Sequence, residues 1–460
     1  MGTKKVDIAN IDITGVSVGA NAIYVAANAR FEWILGTYTP VSTSADWTGT
    51  VTETIIRDSS GEANDKFGYS VATKGDNIVV GVQGDNYYGG AFVYTLSGGS
   101  WSQSSKLEHS DTGSGDLFGW DVDISSDGLY VVAGHPYDEE ETSGFNYTNL
   151  NYGAAYIFYY NGSSWSQQAK LKPSDRSTGD QFGRSVAMNN AGDYIIGGAP
   201  YQESGGTQQG AAYIFTRSGT SWSQQAKLEA SDGQNYDLFG EAVDISSTDA
   251  DYAIVGAYLE DGAGSGDARR GKAYVFTRSG TSWSQQAILT PSDAADNQYF
   301  GFAVTISDDG AYACVGAYGD ATEGANTGAA YIFARSGTSW SQQAKLTASD
   351  AATSDLFGRS MRMNSDGTFV IIGAYGDDGP SDDAATSGTA YIFKREDTTW
   401  SQVKQLRASD YQASDVFGGQ ICHAVGINAS GNRVVVGAPQ EDGGAGDPTS
   451  NQGAVYIYDV

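Results

Sequence analysis

Between Phe182 and Leu228 the apolar residues gather in four short runs, FGRSVAM, YIIGGAP, AAYIFT and WSQQAKL, and none carries a helical period. These are strand-length runs. In the last of them Trp222, Gln224, Ala226 and Leu228 fall on one side of an extended chain, and Ser223, Gln225 and Lys227 fall on the other. One face is largely apolar and the other wet, as an outermost strand requires. Asn190-Ala-Gly-Asp193 and Ser218-Gly219-Thr220 supply tight turns, because Gly and Asn tolerate the positive φ of short hairpins. The segment is therefore read as four antiparallel strands.

The same pattern recurs along the chain. Phe-Gly dipeptides begin at Phe67, Phe118, Phe182, Phe239, Phe300, Phe357 and Phe417, at intervals of 51, 64, 57, 61, 57 and 60 residues. A unit that cannot bury both its faces must stack on its neighbours, so this period dictates the architecture. Seven units of four antiparallel strands predict an all-β protein, a seven-bladed β-propeller, in which radial closure leaves few free sheet edges.

The ends of the pattern predict how the ring closes. Tryptophan-led outer strands start at Trp101, Trp165, Trp222, Trp283, Trp340 and Trp400, yet the last unit stops at AVYIYDV without one. Trp47 precedes the first Phe-Gly by 20 residues, against 17 in the other copies. Residues 45–57 are thus expected to return as the outer strand of blade seven. The reading divides the chain into a β-rich anchoring segment at 1–44 and a propeller at 45–460.

Composition narrows the partners. The formal charge is −29 and the pI near 4.2, while 12% aromatic residues supply a core that a disordered acidic chain would lack. Such a field disfavours nucleic acid and anionic membranes, and no run is apolar enough to insert into a bilayer. The N-terminus MGTKKVDIANIDITG has no apolar stretch of signal-peptide length. Cys314 and Cys422 lie two units apart and are not expected to pair.

The repeated text from about residue 60 to 460 resembles the FG-GAP repeat family, the propeller units of integrin α subunits and integrin-like lectins. The matching residues are each Phe-Gly, then Gly198-Ala-Pro200, Gly256-Ala-Tyr258, Gly316-Ala-Tyr318, Gly373-Ala-Tyr375 or Gly437-Ala-Pro439, then a Tyr-Ile-Phe-like strand. The resemblance implies a seven-bladed propeller with a binding or adhesive role. The family's calcium loop, Asp-x-Asp-x-Asp-Gly, is mostly missing: the corresponding turns are short or poor in carboxylates. Its nearest match is Asp123-Ile-Ser-Ser-Asp127-Gly128, so no cofactor is expected and calcium there is the alternative.

Chemistry for catalysis is sparse. His109, His135 and His423 lie in unrelated positions, no Cys or His spacing suits a metal, and Gly15-Val-Ser-Val-Gly19 has no helix after it to form a nucleophile elbow. No enzyme is expected. Recognition fits better, because the loops between second and third strands vary from 9 to 19 residues between glycines while the opposite turns stay short. The ligand-binding candidates on that long-loop face are Tyr87 and Tyr88, then Phe145, Tyr147, Asn149 and Tyr152 of the longest loop, with Tyr236, Arg269, Arg270 and Tyr411. Aromatic rings with amides and guanidinium groups suit a sugar, an anion or a protein surface. Most blade-to-blade loops also share two aspartates, such as Asp175 and Asp180 or Asp410 and Asp415. Their repetition favours a structural role in the turn over a ring that attracts cations.

The sequence thus suggests an adhesion or recognition propeller on a virion surface, tail or fibre, binding a cell-surface glycan or protein. Residues 1–44 would join it to other subunits. The alternatives are a structural decoration subunit and a secreted integrin-like lectin or hydrolase.

Overall fold

Strands, not helices, carry the described chain throughout. The computed structural model describes residues 45–460 apart from 59–60, 85–88, 111–116, 140–149, 204–205, 248, 262–267, 380–384 and 443–450. Twenty-eight strands, β1 to β28, form seven four-stranded antiparallel sheets. Blade three is typical: β10 (Val186–Met188), β11 (Tyr194–Ala199), β12 (Ala211–Ser218) and β13 (Ser221–Leu228) follow one another outwards from the axis. The proposed anchoring segment 1–44 lies outside the described residues.

Phe-Gly and Gly-Ala prove to be two halves of one contact. The seven Phe-Gly glycines have φ between +80° and +100°, a region that side chains penalise. Gly240 donates its N–H to the Gly256 carbonyl of its own blade at 2.9 Å, and turns its own carbonyl onto Gly198 of the preceding blade. A Cβ on Gly198 would collide with that carbonyl, and the same collision recurs at all seven junctions. The preceding Phe then fills the gap: Phe239 is fully buried in a cluster that joins Ile196 and Ile214 of blade three to Val243 and Val255 of blade four.

The repeated Trp-Ser-Gln-Gln stitches the outer rim. Its first glutamine accepts the backbone N–H of the Ser-Asp loop one blade back, as Gln224 does from Ser174 and Gln285 does from Ser231. Its second occupies a bulge and accepts the indole N–H of the next blade, as Gln225 does from Trp283 at 2.8 Å and Gln343 from Trp400 at 2.9 Å.

Closure is as the sequence predicts. β1 (Thr52–Ile56) pairs with β28 (Ala454–Asp459), in register from Thr52 opposite Asp459 to Ile56 opposite Val455. Glu53 takes the place of the first glutamine and accepts the Ser409 N–H at 3.2 Å. This hairpin partner has no bulge, and Trp47 does not lie in the strand at all. It turns inward, 1% exposed, and donates its indole N–H to the Gly431 carbonyl at 2.7 Å. The three extra residues before Phe67 are what let it leave the strand.

Inner strands would present an unpaired row of N–H groups to the axis, and side chains of the preceding blade satisfy several of them. Asp121 accepts from Val186, Asp123 from Met188 and Asp244 from Ile306, at 2.7 to 2.9 Å. Arg362 then reaches across the axis from blade six, 3.0 Å from Asp123 of blade two and 3.3 Å from Asp244 of blade four. Blade seven carries about four extra residues, within Gly419–His423, before its inner strand, and these form turns and bends that set His423 Nδ1 2.7 Å from Asp121. Asp123 and Asp127 of the nearest calcium-like loop have separate partners, since Asp127 accepts from Ser125 and Leu129. Cys314 and Cys422 are both free thiols, buried.

Candidate functional site

The long-loop face surrounds an axial mouth, and the residues that line it are those that directly follow each Phe-Gly. In chain order they are Tyr69, Trp120, Arg184, Glu241, Phe302 and Arg359, with Gly419 in blade seven. A second tier comes from the end of the second strand, where Tyr137, Tyr201, Tyr258, Tyr318 and Tyr375 stand half-buried.

These side chains touch in two groups, which meet through the blade-seven insertion. Trp120 packs on Tyr69 at 5.1 Å and on Tyr137 at 5.7 Å. The Arg184 guanidinium lies 4.4 Å from the Trp120 ring and 3.2 Å from Glu241. Phe302 sits edge-on to Tyr258 and Tyr318 at 5.2 and 4.9 Å, and Tyr318 stacks flat on Tyr299 at 4.8 Å. Arg359 lies over Phe302, Tyr318 and Tyr375 at 4.6, 4.7 and 5.2 Å, and its Nε donates to the Gln420 carbonyl of the blade-seven insertion at 2.9 Å. Ile421 of the same insertion packs with Tyr69 and Trp120. The result is a belt of rings with two guanidinium groups laid on them. Such surfaces combine apolar ring faces with hydroxyl and N–H donors, and they grip planar or polyhydroxylated groups.

The predicted site residues are dispersed rather than gathered. Tyr87, Tyr88, Phe145, Tyr147 and Asn149 lie outside the described residues. Tyr152 is half-buried beneath the Arg176 guanidinium, 5.3 Å from its ring. Tyr411 packs against the core between blades six and seven. Arg270 pairs with Asp296 at 2.8 Å, while Arg269 is exposed at φ 48° with its N–H on Asp261. Tyr236 is 56% exposed at φ 70°. The belt was missed although a signal existed: the position after Phe-Gly is the one place in a repeated motif where the residue changes in almost every copy.

The repeated aspartates form a separate ring of stations. The second of each pair accepts the N–H three residues back, as Asp180 does from Ser177, Asp237 from Gln234 and Asp355 from Ala352, all at 2.6 Å. The first meets a buried tyrosine hydroxyl and a cation belonging to the chain itself. Tyr331 donates to Asp293 and Asp320, and Lys345 lies 2.7 and 2.9 Å from them. Arg57 of the closing segment bridges Asp410 and Glu441 in the same way at 2.6 and 3.0 Å. Where blade four has Ile288 in place of the usual lysine, Lys272 from the neighbouring strand reaches Asp232 and Glu260 instead. The turn role expected of these aspartates is what their hydrogen bonds show.

These stations make stability depend on pH. Burial, reinforced by neighbouring carboxylates, pushes Asp237 and Asp415 up to about 7, and Asp180 and Asp355 up to about 6. An acid raised above its unfolded value of about 3.9 favours the folded state more as pH falls from 7 towards 4. For His423 burial opposes the charge, but Asp121 outweighs it and holds the imidazole well above its ordinary value. That contribution is complete below the unfolded value of about 6.5 and is lost as pH rises through the folded one. Asp320, buried but held down to about 2 by Lys345 and its other donors, contributes above about 3.9 and fails as pH falls towards 2. Thermal melts from pH 3 to 9 should therefore peak between about pH 4.5 and 6. Asp237→Asn and Asp415→Asn should each stabilise the protein at pH 8 by ~1–2 kcal/mol after allowance for screening, and flatten the decline above pH 6. Melting curves parallel to wild type would contradict this.

The sequence profile described as FG-GAP repeat matches seven segments, residues 51–94, 101–158, 165–215, 222–276, 283–333, 340–393 and 400–458. No curated protein is matched.

Proposed function

The chain belongs to the FG-GAP repeat family, and from that premise we propose that it is a non-enzymatic recognition propeller that binds a cell-surface glycan or protein through its long-loop face. One observation carries the reading: buried aromatic rings, half-buried tyrosines and two half-buried guanidinium groups form a belt on the side that carries the variable loops. Scaffolds built from repeats place recognition where the repeat is broken, and here both the loops and the belt break it on one side. A virion, tail-fibre or other extracellular surface suits a propeller of this kind. Residues 1–44 are assigned the attachment to other subunits.

Host-cell binding and a glycan array, both with the full chain, test this reading. The variant Tyr258→Ala/Tyr375→Ala should weaken binding at least tenfold, because each stacked ring contributes ~0.5–1.5 kcal/mol beyond its buried area and tenfold is about 1.4 kcal/mol. Binding indifferent to both tyrosines, or a chain that binds neither cells nor any arrayed glycan, would overturn it.

A further inference from the structure

We infer that the axial mouth receives the carboxylate of a terminal acidic sugar, with Arg359 as the group that takes the charge. The inference rests on the recognition reading above and names the ligand class for the same mouth. Most cations around the ring are spent internally: Arg57, Lys272, Lys345 and Arg362 each contact two carboxylates, and Arg184 contacts Glu241. Arg359 differs. Its Nε is held by the Gln420 carbonyl and its plane lies on three rings, while neither Nη has a hydrogen-bond or carboxylate partner among the described residues. A guanidinium held flat and half-buried with its outer edge free is pre-organised for two parallel bonds to a carboxylate.

The surroundings select the rest of the ligand. Tyr318 is already stacked on Tyr299 and covered by Arg359, so Tyr375 is the ring that would meet the C–H surface of a pyranose beside Arg359. Glu241 is 7% exposed, and its Oε2 has no hydrogen-bond partner while Oε1 holds Arg184. A buried acceptor left open costs free energy unless a donor arrives, and a sugar hydroxyl is such a donor. A cationic ligand would meet two guanidinium groups at the mouth. A polyanion would have to approach a protein of charge −29, so a single charged residue at the end of a chain fits best.

Calorimetric titration of the full chain with sialyllactose, lactose and sulfated lactose tests the assignment, with the fluorescence of the belt tryptophan as a second readout. Sialyllactose should bind at least tenfold more tightly than either of the others. Arg359→Met should weaken sialyllactose binding at least tenfold more than lactose binding, which removes the preference, and Arg359→Lys, which keeps the charge without the fork, should keep part of it. Unchanged melting temperatures would show that neither variant acts by unfolding. Equal binding of lactose and sialyllactose, tighter binding of the sulfated sugar, or a preference that survives Arg359→Met would overturn the inference and leave the broader recognition reading in place. Binding of no sugar would overturn it too, and host-cell binding would then decide the broader reading separately.

Discussion

Deleting residues 45–57 from the full chain is expected to lower the stability of the whole ring by more than about 5 kcal/mol, with one cooperative transition displaced to lower denaturant. The expectation follows from what the segment holds. Trp47 alone is a fully buried indole with its N–H satisfied, and large-to-small truncation at such a site costs about 3–5 kcal/mol. The deletion also removes Ile56 from the core cluster between blades seven and one and strips Arg57 from Asp410 and Glu441, leaving carboxylates without their cation. It frees the edge of β28 along five residue pairs. Every blade in a closed ring has two neighbours, so opening one junction turns the ring into an array with two ends and weakens each blade's support. Urea unfolding followed by tryptophan fluorescence measures the shift. A wild-type midpoint, or hydrogen exchange that rises in blade seven alone, would show that the clasp only frays. Trp47→Ala should reproduce about 3–5 kcal/mol of the loss.

The second large effect is expected at the axis. Arg362→Leu should cost about 3–5 kcal/mol, because it leaves Asp123 and Asp244 facing each other across the channel without their shared cation. The mechanism can be separated from simple loss of packing. Adding Asp123→Asn and Asp244→Asn to Arg362→Leu should recover part of the stability, since each amide oxygen can still accept the inner-strand N–H that the aspartate accepts now. If the triple variant is no more stable than Arg362→Leu, the charge network is not what the arginine supports.

Much of this architecture was legible because it is repeated. Phe-Gly, Gly-Ala and the tryptophan-led strand each recur in register, and their contacts in space are made between copies, so one interpreted unit explains the others. The closing strand was legible through a surplus, the tryptophan-led segment at Trp47 that stands before the first Phe-Gly. The reason for the offset of Trp47 was not, since only the hairpin turn at Gly431 shows where the indole goes. The belt escaped for the opposite reason. Tyr69, Trp120, Arg184, Glu241, Phe302 and Arg359 share one structural position but no chemistry, and a pattern search passes over what does not recur. The cross-axis pairs were beyond reach as well: Arg362 and Asp123 are 239 positions apart in the chain. Irregular loops pointed to the side on which the belt lies, whereas the axis they surround had no signature of its own.

The offset between sequence repeat and blade has a practical side. Val460 donates its N–H to the Asn432 carbonyl, and Trp47 binds Gly431 next to it, so the entry and the exit of the ring share one hairpin at its underside. A fluorophore, a biotin or a solid support coupled at position 460 is therefore carried away from the mouth. Immobilised in that orientation, the propeller would display its aromatic cup outward to whatever flows past.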